Sequence, residues 1–452
     1  MKNSWISLAA WTMAALLISP PVAAASVKDL LQSGPMIGYM EVVEALIWVQ
    51  TTEPARVKIE YGLNGQWRFG DTIQTREESF LIAKSVLTDL EPDTTYEYRV
   101  WINDERVPID RPLRFKTQTF WRYRSDPPPV RFAMGSCLYV NDEKFDRPGK
   151  PYGDDFEILD AILRAQPDFM LWLGDNLYYR ETDYDTPSRL AYRNKHSRSF
   201  GPLQPLLSAM PHYAIWDDHD FGPDNSHRGY HLKREALNLF SSYWANPQFG
   251  TPELPGVFGK VTWSDLDFFL LDDRYYRAPN RLDDPDKAYF GAGQMQWLKD
   301  QLADSRASFK FVVCGNQILN LYSRHESFAL YESEYRDLTH WLQNAKVSGV
   351  VFLSGDRHFS ELLKVERPNN YPLYEFTSSP LTSGAGNDLG SEADSPLRVA
   401  GTSVLGKRNF GILEVSGPRK ERVLKMQTYD AKGELLWEYV IQRSELTIGG
   451  KQ

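Results

Sequence analysis

Six short apolar runs between residues 130 and 354 each stop at a glycine or a knot of polar residues. Val130–Met134 leads into Gly135-Ser136-Cys137, and Asp168–Leu173 into Gly174-Asp175-Asn176-Leu177-Tyr178-Tyr179. His212–Trp216 leads into Asp217-Asp218-His219-Asp220, and Asp267–Leu271 into Asp272-Asp273-Arg274. Phe309–Val313 leads into Cys314-Gly315-Asn316-Gln317, and Val350–Ser354 into Gly355-Asp356-Arg357-His358. Continuous apolar runs bounded in this way predict buried strands. In a sheet of such strands, ligands collect at the strand ends and in the loops that follow. Asp, His, Tyr and Cys gathered at one sheet edge have the look of a metal centre.

Segments with helical spacing lie between these runs: Phe156–Leu163, Lys233–Phe240, Met295–Leu302 and Tyr335–Leu342. Alternation of strands with such helices predicts an α/β domain. Residues 27 to 118 differ, because Glu44–Val49, Ala55–Tyr61 and Tyr96–Trp101 alternate with period two around turns at 62–65 and 91–93. The stretch Leu87–Val100, with a tyrosine after a proline-containing turn, resembles the fibronectin type III signature. A β-sandwich here is expected to pack on the α/β part and shape the mouth of its site. Ser125–Pro129 reads as a stiff linker, and Phe410–Val440 returns to β patterning with a turn inside Tyr429–Leu435. Residues 1–25 have the make-up of a signal peptide: Lys2, an apolar run from Ile6 to Ile18, then Pro20-Pro21 and Ala23–Ala25. The expected division is therefore 1–25 signal peptide, 26–120 β-sandwich, 121–129 linker and 130–445 α/β domain. Export follows from it, to the periplasm or outside the cell, with no stable membrane anchor once the signal is cleaved.

Composition narrows the function classes. A chain of 452 residues with 42% hydrophobic and 25% charged content is that of a globular protein of two or three domains. A net charge of −9 argues against binding a nucleic-acid backbone. There is no Gly-x-Ser-x-Gly elbow, no His-Glu-x-x-His helix and no Walker loop. The two cysteines, Cys137 and Cys314, either form one disulfide or leave Cys137 as a site thiol and Cys314 as a core residue.

Asp175 and Tyr178, three apart beyond a strand, supply hard oxygen donors suited to a strongly Lewis-acidic metal. Asp217, Asp218 and Asp220 around His219 repel one another unless a cation or a proton compensates. Asp356 and His358, two apart, would face one centre if the segment is extended. Arg357 and Arg274 are candidates for contact with an anionic substrate, and Arg274 is equally a candidate for a salt bridge to its neighbouring aspartates. His325 and Glu326 are candidates for the rim.

Taken together, Gly135-Ser136-Cys137, Gly174-Asp175-x-x-Tyr178, Trp216-Asp217-Asp218-His219-Asp220, Asn316-Gln317 and Gly355-Asp356-x-His358 resemble the PhoD-type alkaline phosphatase family of the calcineurin-like metallophosphoesterases. The resemblance implies a four-layer αββα sandwich behind a fibronectin III-like N-terminal domain. It also implies a two-metal site, in which Cys137, Asp175, Tyr178 and His358 hold Fe3+ and Asp218 and Asp356 hold Ca2+. Asp175 would bridge, with Asp217, Asn316 or Gln317 as further ligands or supporting groups. His219 and Arg357 would be catalytic and Arg274 substrate-binding. The implied reaction is hydrolysis of a small phosphate ester: paired metals clamp the phosphoryl group and activate a water for in-line attack. Cys137 replaces the superfamily's usual Asp-x-His, and Asp356 replaces the first histidine of its Gly-His-x-His, which makes zinc less expected. The rival reading is an inactive binding or adhesion protein on the same fold.

Overall fold

The computed structural model describes residues 26–323 and 326–448. Residues 1–25, expected to form a signal peptide, and His325 lie outside them. Among the described residues no helix is long and apolar enough to cross a membrane.

The apolar runs form two six-stranded sheets. Phe169–Leu173 stands between His212–Ile215 and Val130–Gly135, all parallel. The sheet continues antiparallel through Asn409–Ser416, Val423–Asp430 and Leu435–Gln442, the β-patterned tail. In the second sheet Leu266–Leu270, Phe309–Val313, Val350–Ser354 and Leu373–Thr377 run parallel, flanked by the antiparallel edge strands Gly259–Trp263 and Glu361–Val365.

Period-two alternation explains how the layers stack. On the first sheet Phe132, Met134, Leu171, Leu173, Tyr213 and Ile215 turn to one cluster, and Ala133, Met170, Trp172, Ala214 and Trp216 turn to another. The first group meets the second sheet, where Phe132 sits edge-on to Phe268 and Phe311 with ring centroids 5.2 and 5.5 Å apart. The second group meets Ile158 and Ile162 of the helix Glu157–Arg164 and Leu239 and Phe240 of the helix Lys233–Tyr243. Leucines of the helices Ala292–Asp304 and Glu332–Asn344 pack with the second sheet. One helix, Pro187–Arg198, has no counterpart in the sequence expectations because its buried face includes Arg193 and Asn194, which blur the apolar period.

Residues 31 to 116 build two small antiparallel sheets. They pack at the opposite end of the large sheets from the polar knots. Ile37 bridges Pro211 just before the strand His212–Ile215, the Met40 amide donates to the Tyr213 hydroxyl at 3.1 Å, and Gln118 donates to the Thr262 carbonyl at 3.2 Å. The expectation that this part shapes the mouth of the site is corrected. It meets the beginnings of the strands, whereas the site lies beyond their ends, and the residues lining the cavity there all come from 152 onward.

Candidate metal centre

The ends of the parallel strands bring the polar knots to one edge. Two glycines allow the close approach. Gly174 has φ +93°, and a Cβ on Gly355 would lie 2.6 Å from Ser136 Cβ and 2.7 Å from the Leu173 carbonyl oxygen. The chain beyond each strand then kinks. Cys137, Asp175, Asp356 and His358 all adopt left-handed backbone angles, with φ of 61°, 51°, 66° and 56°. Such non-glycine conformations cost on the order of 1–3 kcal/mol each and persist only where the surroundings enforce them, typically at functional sites. Asp356 and His358 therefore reach the same cavity through two successive kinks rather than through the extended alternation expected from sequence.

Among the described residues three groups of side chains are spaced to hold an ion, with ligand atoms within 4.8 Å of one another: Cys137, Asp175 and His358; Asp175, Asp218 and His219; and Asp217, Asp218 and Glu326. Asp175 belongs to the first two and Asp218 to the last two, so the groups form one continuous chain of carboxylates. The Cys137 Sγ lies 3.7 Å from Asp175 Oδ2, and the Tyr178 hydroxyl lies 3.4 Å from His358 Nε2. The Gly384 carbonyl, 2.6 Å from His358 Nδ1, fixes the ring so that Nε2 faces the centre. Both cysteines are free and buried, so the disulfide alternative is not realised, and Cys314 lies 3.6 Å from Asp273 Oδ2.

The electrostatics call for a cation. Burial, then the charges of Asp218, Cys137, Asp220 and Asp356, drive the Asp175 carboxyl well above the usual carboxylate range. Burial, then Glu326 and Asp218, push Asp356 up to about 7. Burial pushes the Cys137 thiol up to about 11 and the Tyr178 phenol well above its ordinary value. Burial lowers His358 against the pull of Asp356. A thiol, a phenol, an imidazole and several carboxyls at one point fit a pair of metal ions, because such ions are what make the ionised forms stable there.

The acidic run at 217–220 resolves into two roles. Asp217 and Asp220 cap the short helix Asp218–Phe221 reciprocally: the Asp217 carboxylate accepts from the Asp218 amide at 2.9 Å, and Asp220 accepts from the Asp217 amide at 3.0 Å. Asp218 and His219 are left on the cavity wall. His219 lies against Tyr178 with ring centroids 4.3 Å apart, its Nε2 is 3.8 Å from Asp224, and its buried Nδ1 has no hydrogen-bond partner among the described residues.

Arg274 does not reach the cavity. It is fully buried, donates through Nε to Asp217 at 2.7 Å and is ion-paired with Glu326 Oε2 at 2.7 Å, so it serves in a salt bridge, but to these two rather than chiefly to its neighbouring aspartates, of which Asp273 lies 3.7 Å away. Asn316 donates to Asp217 at 2.8 Å and accepts from Arg277 at 2.6 Å, which makes it a support for Asp217. Gln317 turns into the second sheet, donating to Glu361 and Thr377 at 2.8 and 2.9 Å. Arg357 stands on the cavity wall, paired with Glu392 at 2.6 Å.

Glu326, expected only as a rim residue, is an integral member. Burial would raise its carboxyl, but Arg274 and Arg277 more than offset this and hold it well below the ordinary range. Arg277, Tyr152 and Glu392 were missed, since each lies several residues beyond the end of the preceding strand, outside the polar knot that marks that end. Arg274→Ala would leave the buried Asp217 without its paired cation and Glu326 with Arg277 alone. The expected loss is about 3–5 kcal/mol of stability, read as a lower urea midpoint at unchanged slope.

The chamber above these groups has a volume of about 870 Å³ and includes Tyr152, Asn280, Lys287 and Leu389 in its walls. A sequence model described as PhoD-like phosphatase matches residues 132–407. Residues 28–120 match a domain of unknown function, DUF7800. No curated protein matches the chain. Among solved structures the chain is similar to PhoD, at 18% identity over 95% of each chain with a TM-score of 0.74. It is also similar to the purple acid phosphatase PPD1 from yellow lupin (Lupinus luteus) seeds, at 13% identity over 90% of this chain and 74% of that one, with a TM-score of 0.63.

Proposed function

The chain belongs to the PhoD-like phosphatase family and is a phosphoric ester hydrolase; from that premise we propose that it hydrolyses small phosphate esters at a two-metal centre built on the strand ends. The observation that carries this reading is the sharing of Asp175 and Asp218 among three ligand groups at one sheet edge. Cys137, Asp175, Tyr178 and His358 would hold the first ion, and ferric iron would suit their thiolate, phenolate and carboxylate donors. Asp218 and Asp356 would hold the second, with Asp175 as the carboxylate common to both sites, and calcium would suit their hard oxygens. When bound, the ions supply Lewis acidity toward the phosphoryl oxygens and lower the pKa of a water.

The protein's own groups do the remainder. Asp217, tied down by Arg274 and Asn316, keeps the turn before Asp218 rigid. His219 presents Nε2 to the cavity and gives its proton to the leaving oxygen. Arg357 offers donors to the phosphoryl oxygens. In this reading the α/β domain over 130–445 is a four-layer αββα sandwich, preceded by a fibronectin III-like domain over 26–120 and a linker. Residues 1–25 direct export and are removed.

His219→Asn is expected to lower kcat by about 10²–10⁴-fold, the usual weight of a general acid, with KM and bound metal little changed. The loss should shrink for p-nitrophenol and grow for an alkyl alcohol, which needs the proton more. Steady-state kinetics on paired aryl and alkyl esters check this. Turnover of p-nitrophenyl phosphate and bis-p-nitrophenyl phosphate by the mature chain, lost with chelator and restored by iron and calcium, tests the whole reading. Folded protein inert toward both under metal add-back would overturn it.

A further inference from the structure

Arg357 is held by a side-chain network reaching well behind the cavity. Its Nη2 donates to Glu392 Oε1 and its Nη1 to Ser323 Oγ, both at 2.6 Å. Both acceptors are oriented by one residue, Asn320. The Asn320 Nδ2 donates to the other Glu392 oxygen at 2.7 Å, and its Oδ1 accepts from the Ser323 amide at 3.1 Å. Asn320 is fixed in turn by Gln317 Oε1 at 2.7 Å, and Gln317 donates to Glu361, which pairs with Arg398 at 2.6 Å. Arg398 closes the loop by donating to the Glu392 carbonyl at 2.9 Å. Glu392 is 2% exposed and Asn320 1%.

We propose that Glu392, oriented by Asn320, is the positioning residue that aims the Arg357 guanidinium at the phosphoryl oxygens of the substrate. The inference rests on the hydrolase reading above. A guanidinium has five N–H donors; the two directed at Ser323 and Glu392 fix its plane, and the rest stay available at the wall of the chamber. Buried ion pairs contribute little to stability relative to apolar packing. A paired carboxylate at this wall, with both oxygens bonded, is better explained by the orientation it imposes. Arg357 stacks over Phe359 at 5.2 Å, which leaves rotation about the stem as the freedom that Glu392 removes. Gln317, one of the residues singled out by the strand-end pattern, acts at the far end of this network rather than at the metals.

The test uses the full mature chain loaded with iron and calcium, and measures inorganic phosphate binding by calorimetry beside kcat and KM for p-nitrophenyl phosphate. Glu392→Ala is expected to weaken phosphate binding at least about 10-fold, as loss of a hydrogen bond to a charged group does, with metal per chain unchanged. Arg357→Ala should do the same, and the double variant should lose no more than either single change. Glu392→Gln keeps an acceptor for Arg357, so its loss should be smaller, and it serves as the folded comparison if the alanine variant does not accumulate. Additive losses, a matching loss of metal, or unchanged phosphate affinity in both Glu392 variants would overturn the proposal. Wild-type protein that binds phosphate but hydrolyses no ester would sink the hydrolase mechanism while leaving the positioning role standing. Wild-type protein that does neither overturns both.

Discussion

Asp175→Ala is expected to abolish turnover and remove bound metal from both positions at once. Asp175 is shared between the Cys137–His358 group and the Asp218–His219 group, and among the described residues no other carboxylate belongs to both. Loss of a group that merely orients a ligand costs about 10–100-fold in metal affinity or activity. Loss of the shared ligand should exceed that range, to beyond about 100-fold in kcat/KM, with the remaining activity restored little by excess metal. The fold should survive, because the buried Asp175 contributes a carboxyl group rather than an apolar side chain to the packing. Removing its charge also relieves repulsion from Asp218 and Asp356. Metal analysis by mass spectrometry, with circular dichroism as the folding control, separates the outcomes. An Asp175→Ala protein that keeps both metals, or keeps one with near-normal turnover, would contradict a shared carboxylate.

Chelation should destabilise the wild-type protein strongly, and more so at higher pH. Without ions, burial and like charges hold Asp356 at about 7 and Asp175 and Asp217 above their ordinary values. Between the ordinary carboxylate value of about 4 and these raised values, the folded chain binds more protons than the unfolded one. The stability these carboxyls confer is then fully present below about pH 4 and is lost as pH rises through about 7. Bound cations remove that penalty by favouring the ionised forms. The difference in Tm between metal-replete and chelated protein should therefore widen from pH 5 to pH 8. An ion present at a thousand times its Kd stabilises by about 4 kcal/mol, so a shift on the order of 10 °C is expected at the upper end. Calorimetric scans with and without chelator across this range check it; a difference that narrows as pH rises would mean the acidic cluster is not where the metals bind.

Much of this architecture was legible because strand ends announce themselves. A run such as Phe169–Leu173, buried on both faces, must be covered on both sides, and glycine followed by Asp175 and Tyr178 can then only lie at its exit. The helices of clear apolar period appeared within a few residues of their expected bounds, as at Glu157–Arg164. Direction within a turn was harder to read. Asn316 and Gln317 are adjacent, yet one supports Asp217 and the other turns into the second sheet, a choice set by Glu361 and Thr377, far along the chain. Arg274 looked equally suited to substrate or to a salt bridge; Glu326, brought in by a long loop, decides for the salt bridge. Glu392 and Asn320 carry no local signal, because their roles depend on meeting across the fold.

The most direct test of the central claim is elemental analysis of the mature chain, purified without chelator, beside its rate on bis-p-nitrophenyl phosphate. The account predicts two metal ions per folded chain and turnover that falls and returns with them. Folded, monodisperse protein that takes up no metal, even when iron and calcium are supplied, would contradict it.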